Sequence, residues 1–448
     1  MSRVLFIDTA SNCLDLAMRC QRHGHDVVWF ESLRADGTKR RAGDGIVKKI
    51  SDYGELRRKW LDWADLIYLT DNAKYMELLE SYRLKGYPIF GGGIHAAELE
   101  IERMAGQDAM KKAGMNIIPG KEFKDYKSAA AFVEKTGKAY VSKPCWDAAK
   151  DLTYVAKDPD DLIFMLESWS KNQQYRAQAR KHGFILQEKV TGTEFAVGGF
   201  FGPHGWNKQF LENFEYKKLA NDDLGPATGE MGNAAKAVTK SKLAEEALLP
   251  MTAQLHEMGY VGYVDNNCIV DDSGKVWPLE FTIGRDGCPI RFNRDALVIG
   301  DPIQWMIDLI NGQDTLKMRP EVCVSVVVAL PPFPYQHKIG KDLDGTPVWN
   351  AFDIEHVHPV EMRVEQDIPT WDGSKIQRLP GYVATDDYVC VVTGLGATIT
   401  GARRSAYNAV KKVKISRSPF YRTDIGAGRL VEQLPVLQKN GFAKTWVR

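Results

Sequence analysis

The residues best placed to do chemistry begin with an acidic hairpin. "GYVDNNCIVDDSGKVWPLEFT" (262–282) reads as two strands around a "DDSG" turn. Side chains alternate along a strand, so Glu280 and Thr282 share a face, and Asp265 on the partner strand can meet them. Carboxylates meeting across a strand pair suit a divalent cation, magnesium or manganese, that also holds substrate phosphates, because magnesium keeps few protein ligands. The same residues also read as ordinary polar positions on a half-exposed hairpin. Lys143, in "AYVSKPCWD", ends a strand before a proline. There it serves as a point charge for phosphate or simply stands in water. "FILQEKVTGTEF" (184–195) turns at a glycine and continues to Glu194. Such a hinge offers backbone groups to a base edge and a carboxylate to ribose hydroxyls, or is a plain strand–turn–strand. Arg103, in "LEIERMAG", reads on its own as a helical arginine facing water.

A glycine-rich stretch, "LGPATGEMGN" (224–233), follows the lysine pair of "EYKKLANDD". It cannot be helix. Gly225, Gly229 and Gly232 let the main chain approach a ligand closely, and its N–H groups can form an anion nest. Pro226 fixes one turn, and Thr228 can bond locally. The alternative is a structural loop packed on Met231.

The elements that must position these residues follow from periodicity. "RVLFID", "HDVVWF", "ADLIYLT" and "YPIFGG" read as strands, with "CLDLAMRCQRHG" a helix ending at glycine. That alternation predicts a parallel sheet with helices on both faces. "AELEIERMAGQDAMKKAGM" reads as one helix, and "AYVSKP" and "FILQEKV" as strands around a helical "DPDDLIFMLESWS". "EFAVGGFF", the acidic hairpin and "EVCVSVVVAL" supply further strands. A strand-rich tail and the helix "GARRSAYNAVKKV" close the chain. The expected architecture is α/β then α+β: a Rossmann-like α/β domain over 1–102, a two-lobed body over 103–320 and a small α+β cap over 321–448.

Bulk composition narrows the class. The chain has 448 residues, 44% apolar, with 59 basic and 58 acidic side chains and a net charge of +1. That balance argues against a general nucleic-acid or acidic-membrane binder. No run approaches a membrane span, and the start reads as a strand and not as a signal peptide. Seven cysteines without a CxxC spacing predict reduced thiols in a cytoplasmic protein. The basic run "TKRRAGDGIVKK" (38–49) lacks interleaved aromatics and reads as a solvated surface loop. His95 and His256 read as helix residues, and "KTWVR" as an exposed terminus.

Taken in order, these pieces resemble the ATP-grasp superfamily, and within it the phosphoribosylamine–glycine ligases. "EYKKLANDDLGPATGEMG" is similar to the family's DHKR…GDxGPNTGGMG without a gap. "VCVVTGLGATITGARRSAYNAV…FYRTDIG" resembles its C-terminal signature, VTxxGxTLxxAxxxAY…FYRxDIG. "PIFGGGIHAAELEIER" is similar to the segment leading to its first nucleotide-binding basic residue, with Arg103 where the family usually has lysine. The resemblance covers nearly the whole chain. It implies a nucleotide site of Arg103, Lys143, Gln187, Glu188, Lys189, Val190 and Glu194, and a magnesium (or manganese) site of Asp265, Glu280 and Thr282. It places Lys217, Gly229 and Arg285 near the reacting groups. It implies ATP as cofactor, glycine as the carboxylate, an amine acceptor, and a monomer or dimer.

The departures are concentrated. The family's GxGGREH loop, which holds the phosphoribosyl group, becomes "DTASNCLDL", where Thr9, Ser11 and Asn12 at a helix N-terminus can still meet an anion. GPExPL becomes "LTDNAKYM". KADGLAAGKG becomes "KPCWDAAKDL", bulkier by Trp146. ExN becomes Glu280-Phe281-Thr282, and GDPE becomes "DGCPI". Two readings stand: an active carboxylate–amine ligase with a changed amine acceptor, and a catalytically inactive ligase-derived binding or scaffold protein.

Overall fold

The computed structural model describes residues 1–34, 37–70, 74–145, 152–284, 289–335, 343–351 and 355–448. Arg285, Trp146 and most of the "KPCWDAAKDL" and "DGCPI" loops lie outside the described residues.

The N-terminal strands β1 (Arg3–Ile7), β2 (Asp26–Phe30), β3 (Lys48–Ile50), β4 (Leu66–Leu69) and β5 (Ile89–Phe90) form a parallel sheet in the order β3-β2-β1-β4-β5. Helix α1 (Leu14–Arg22) buries Leu14, Leu16, Ala17 and Cys20, the apolar positions on one side of the helix. The strand order reverses between β1 and β4.

A second sheet has the order β6-β9-β7-β8, from β6 (Gly120–Phe123), β7 (Tyr140–Pro144), β8 (Tyr154–Val155) and β9 (Phe184–Glu188). The helices Tyr126–Thr136 and Pro159–Lys171 bury Ala129, Val133, Leu162 and Leu166 in its core.

The largest sheet is antiparallel. It contains β10 (Thr193–Gly202) and β11 (Gly205–Glu215). A short ribbon of β12 (Lys218–Ala220) and β13 (Leu224–Ala227) follows. The sheet continues with β14 (Gly232–Val238), β15 (Gly262–Val270), β16 (Val276–Ile283) and β17 (Val322–Ala329). After β18 (Thr346–Trp349), it takes β19 (Val357–Pro359). Then come β20 (Met362–Trp371), β21 (Ile376–Ala384), β22 (Tyr388–Gly396) and β23 (Lys414–Ile415). The eight-stranded order is β16-β15-β10-β11-β14-β17-β22-β19, while β20-β21-β18-β23 forms a separate sheet. Strands from beyond residue 320 thus extend the central sheet.

Three expectations need correction. The segment read as one helix is two, Ile94–Ile101 and Arg103–Lys112, because Glu102 is extended at φ −99°, ψ 94°. Gly106 permits the tight corner: a Cβ there would lie 2.4 Å from the Leu99 carbonyl oxygen. The basic run is not simply a solvated loop. Gly43 and Asp44 bond the backbone of Met362 and Val364, Arg41 pairs with Asp344, and Lys49 pairs with Glu31. The C-terminal Trp446 is buried, with its indole N–H donating to Glu212. His95 and His256 do lie in helices. No helix among the described residues is long and apolar enough to cross a membrane.

Candidate active site

Strand alternation assembles the site. Register places Asp265 opposite Thr282 and Gly198, and Asn267 opposite Glu280 and Ala196. Ala196 in turn lies opposite Asn213, and Glu215 opposite Asn233. These pairs fall two residues apart, so one sheet face carries Glu280, Thr282, Asp265, Asn267, Asn213, Glu215 and Asn233. Phe195, Val197, Phe214 and Phe281 alternate with them and pack into the core. The small residues of β10 let polar groups reach across it: Asn213 donates to Asp265 Oδ2 at 3.2 Å.

At one end of this face four charges converge. Glu280 lies 3.6 Å from Arg103 and 3.7 Å from Lys217, and Lys217 lies 3.0 Å from Glu215. Arg103 also donates to the Pro144 carbonyl at 3.1 Å, which ties it to the strand bearing Lys143. Lys143 is 9% exposed; burial, then Arg103 and Lys217, lower its pKa to about 8 against the pull of Glu280 and Glu194. Burial opposes ionisation of Glu280, yet Lys217, Lys143 and Arg103 win and hold its carboxyl at about 2. Lys217 is pushed up: burial lowers it, and Glu215, Glu280 and Glu194 more than offset that. Glu280 nevertheless keeps 46% of its side chain open to solvent, so it is an ionised carboxylate facing a cleft.

Asp265 differs. Burial and the neighbouring Glu215 raise it to about 7, and Tyr263 and Asn213 donate to its Oδ2. It is oriented inward by the sheet. Thr282 lies half-buried opposite it. The described acids close enough to share an ion in a group of three are Glu361, Asp386 and Asp387, in the C-terminal part. Magnesium, which takes one or two carboxylates and completes its shell with phosphate and water, still fits Glu280.

The hinge segment begins in the last two residues of β9. Gln187 is buried with its Oε1 unpartnered, Glu188 is exposed, Lys189 donates to the Ala156 carbonyl, and Val190 is half-buried. An unpartnered buried acceptor beside a hinge suits an amino group of a base. Glu194 opens β10 and lies 3.7 Å from Arg429.

The glycine-rich stretch packs as a structural loop on Met231. Gly225 has φ +81°, and Gly232 must lack a side chain, since a Cβ would sit 2.6 Å from the Ser325 carbonyl. The anion nest is reduced: Thr228 N–H donates to the Lys217 carbonyl and Met231 N–H to that of Tyr216. Those bonds fix Lys217, while Met231 anchors in a small core with Phe292 and Val327. Gly229 remains exposed.

Several site residues escaped the sequence reading. Glu230 stands where GPNTGGMG has glycine. It is 3% exposed, its Oε1 accepts from Asn233 at 2.7 Å, and its Oε2 is buried without a hydrogen-bond partner. Burial and Glu215 push its pKa well up. Asn233 also donates to Asn213, so a polar chain runs from Glu230 to Asp265. The signal was present as an acid inside a glycine motif. Glu215 and Asn267, bonded at 2.7 Å, also belong here. From the C-terminal part, Arg422 of "FYRTDIG" is buried and pairs with Asp223 and Asp424, clamping the segment that leads into the glycine-rich stretch.

The small sheet lies beside an acidic, lysine-lined antiparallel sheet. Residues 103–281 match the family model described as phosphoribosylglycinamide synthetase, ATP-grasp (A) domain. Over those residues the chain is similar to the ATP-grasp domain of that family. The phosphoribosylamine–glycine ligase of Caulobacter vibrioides is 25% identical over 397 residues, 86% of each chain. That of Neisseria meningitidis serogroup B is 24% identical over 364 residues, 78% of this chain and 80% of the relative. Among solved structures, the Thermotoga maritima phosphoribosylamine–glycine ligase superposes with a TM-score of 0.65 at 18% identity, covering 94% of this chain and 99% of that one. N5-carboxyaminoimidazole synthetase from Staphylococcus aureus, complexed with ADP, shares the fold with a TM-score of 0.57 at 13% identity, covering 91% and 96%.

Proposed function

We propose that this protein is an ATP-dependent carboxylate–amine ligase that forms an amide through an acyl phosphate, with glycine as the carboxylate and a changed amine acceptor. The observation that carries it is Glu280: a solvent-facing carboxylate kept ionised by Arg103, Lys217 and Lys143 at the mouth between two sheets. Perturbed charged groups gathered in this way are characteristic of functional sites.

In this reading ATP lies between the sheets, with its base at the Gln187–Val190 hinge and Glu194 toward the ribose. Arg103 and Lys143 neutralise the triphosphate. Glu280, with Thr282 and Asp265 behind it, would hold magnesium, which supplies charge neutralisation on the phosphates when bound. The substrate carboxylate attacks the γ-phosphate, and the amine then displaces phosphate from the acyl carbon. Lys217, fixed by Glu215 and by the loop around Gly229, stabilises charge at the transferring group; Arg285 lies outside the described residues and keeps that role by resemblance. The task is positioning and electrostatic stabilisation.

The second reading, a non-catalytic scaffold, has two observations in its favour: Thr282 stands where the resembled family has asparagine, and Asp265 accepts from Tyr263 and Asn213. ADP release with MgATP, glycine and freshly generated phosphoribosylamine, each omitted in turn, then with other amines, separates the readings. Release that needs both a carboxylate and an amine supports the ligase. No release and no ATP binding would sustain the scaffold.

A further inference from the structure

Glu230 differs from the acids around it. Glu280 meets Arg103 and Lys217, Glu215 meets Lys217 and the Asn267 amide, and Asp265 accepts from Tyr263 and Asn213. Glu230 accepts a hydrogen bond on Oε1, from Asn233 at 2.7 Å. Its Oε2 is buried and meets no donor among the described residues, and neither does the Oδ1 of the same Asn233, itself fully buried. Two such acceptors on bonded neighbours are costly unless a ligand brings donors to them. A water would answer the hydrogen bonds and leave the charge; a cationic nitrogen answers both. Burial and the neighbouring Glu215 favour the neutral acid, and a cationic nitrogen within hydrogen-bond reach favours the carboxylate.

The backbone fixes this pair at the end of the site where Lys217 stands. Thr228 donates to the Lys217 carbonyl through its N–H at 2.8 Å and its hydroxyl at 2.9 Å. Met231 N–H donates to the Tyr216 carbonyl at 2.8 Å, and Asn233 lies opposite Glu215 in the strand register. Glu230 is thus held between two anchors on the segment that carries Glu215 and Lys217. The motif it resembles has glycine at this position, so the main chain of the loop does not need the acid.

We propose that Glu230 is a catalytic residue that receives the amine acceptor in its ammonium form and takes a proton from it. The assignment rests on the ligase reading above. One N–H bond breaks, its proton passes to Glu230 Oε2, and the electron pair stays on nitrogen. That lone pair forms the C–N bond at the acyl carbon, the C–O bond to phosphate breaks with its electrons leaving on phosphate, and a second N–H proton goes to solvent. Hydroxylamine, uncharged at neutral pH, attacks without first giving up a proton, so it reports the acyl phosphate apart from Glu230.

The test uses MgATP and glycine at neutral pH. Values of kcat/KM are measured for ammonium chloride, methylamine and ethanolamine by ADP release above the rate with glycine alone, and for hydroxylamine by glycyl hydroxamate. The ratio of an amine value to the hydroxylamine value cancels effects on ATP and glycine, which both reactions share. In Glu230→Gln, which keeps the shape and removes the charge, that ratio is expected to fall at least about tenfold, since a general base contributes about a hundredfold or more. A smaller change in the ratio, or loss of both reactions together, overturns the proposal. So does silence with all three amines while the wild type still forms hydroxamate, a result that leaves the ligase reading standing. Absence of hydroxamate and of ADP in every mixture overturns the ligase reading itself.

Discussion

Replacing Lys143 with methionine is expected to make the protein more stable and less able to bind ATP. Lys143 is buried beside Arg103 and Lys217, and its pKa falls to about 8 from the ordinary 10.5. In the unfolded chain it titrates near the ordinary value, so the gap corresponds to about 3 kcal/mol against the folded state. Below pH 8 both states carry the proton and the whole penalty is present. Between pH 8 and about 10.4 the folded protein has released a proton that the unfolded chain retains, so stability rises with pH. Lys143→Met, similar in length and uncharged, removes the penalty. It should gain up to about 3 kcal/mol at pH 7 and almost nothing by pH 10.5. ATP loses a charge-assisted contact on the triphosphate, worth about 1.5–3 kcal/mol, or roughly ten- to hundredfold in affinity. In the wild type the charged fraction of Lys143 drops about tenfold between pH 7 and pH 9, so affinity for MgATP should fall about tenfold over that interval. Urea unfolding at pH 7 and 9.5, beside calorimetric MgATP titration, reads both effects. A variant less stable at pH 7, a gain that does not shrink with pH, or unchanged ATP affinity would refute the reasoning.

Glu280→Gln should lower ADP release by about a hundredfold or more with an unchanged circular dichroism spectrum, since electrostatic groups at a reacting phosphate carry effects of that order; retained turnover would favour the scaffold. Glu230→Gln mimics the protonated carboxyl, so it should fold normally and lose the destabilisation that wild-type Glu230 brings as pH rises above its unfolded value near 4.3. Glu230→Ala strands the Asn233 amide and should cost about 1–3 kcal/mol, read by denaturant unfolding. Asp15→Asn removes one of two acidic partners of the buried Arg291, with Asp295 remaining at 3.8 Å, and should cost about 1.5–3 kcal/mol in the same assay.

Much of this was legible in the chain. Strand alternation in "GYVDNNCIV" and "KVWPLEF" put Asp265, Glu280 and Thr282 on one face, and the structure keeps that register. The parallel N-terminal sheet followed from alternating apolar runs. Contacts between distant segments were not legible. Nothing local says that Asp8 turns back on Ala10 and Cys13, that Lys49 belongs to Glu31, or that Arg429 reaches Glu194. Glu230 sat in plain view, but its weight depends on burial, which periodicity does not give in a glycine-rich loop. The break at Glu102 was hidden because its neighbours favour helix on both sides, and only the close approach of Gly106 to Leu99 shows why the chain turns.

The central claim is an acyl phosphate, and its most direct test is isotopic. Glycine labelled with ¹⁸O in its carboxylate is incubated with the protein, MgATP and an accepted amine or hydroxylamine, and the phosphate released is examined by mass spectrometry. The account predicts that the phosphate carries one labelled oxygen from the carboxylate and that Glu280→Gln abolishes the transfer. Phosphate released without label, in step with ADP, would contradict it.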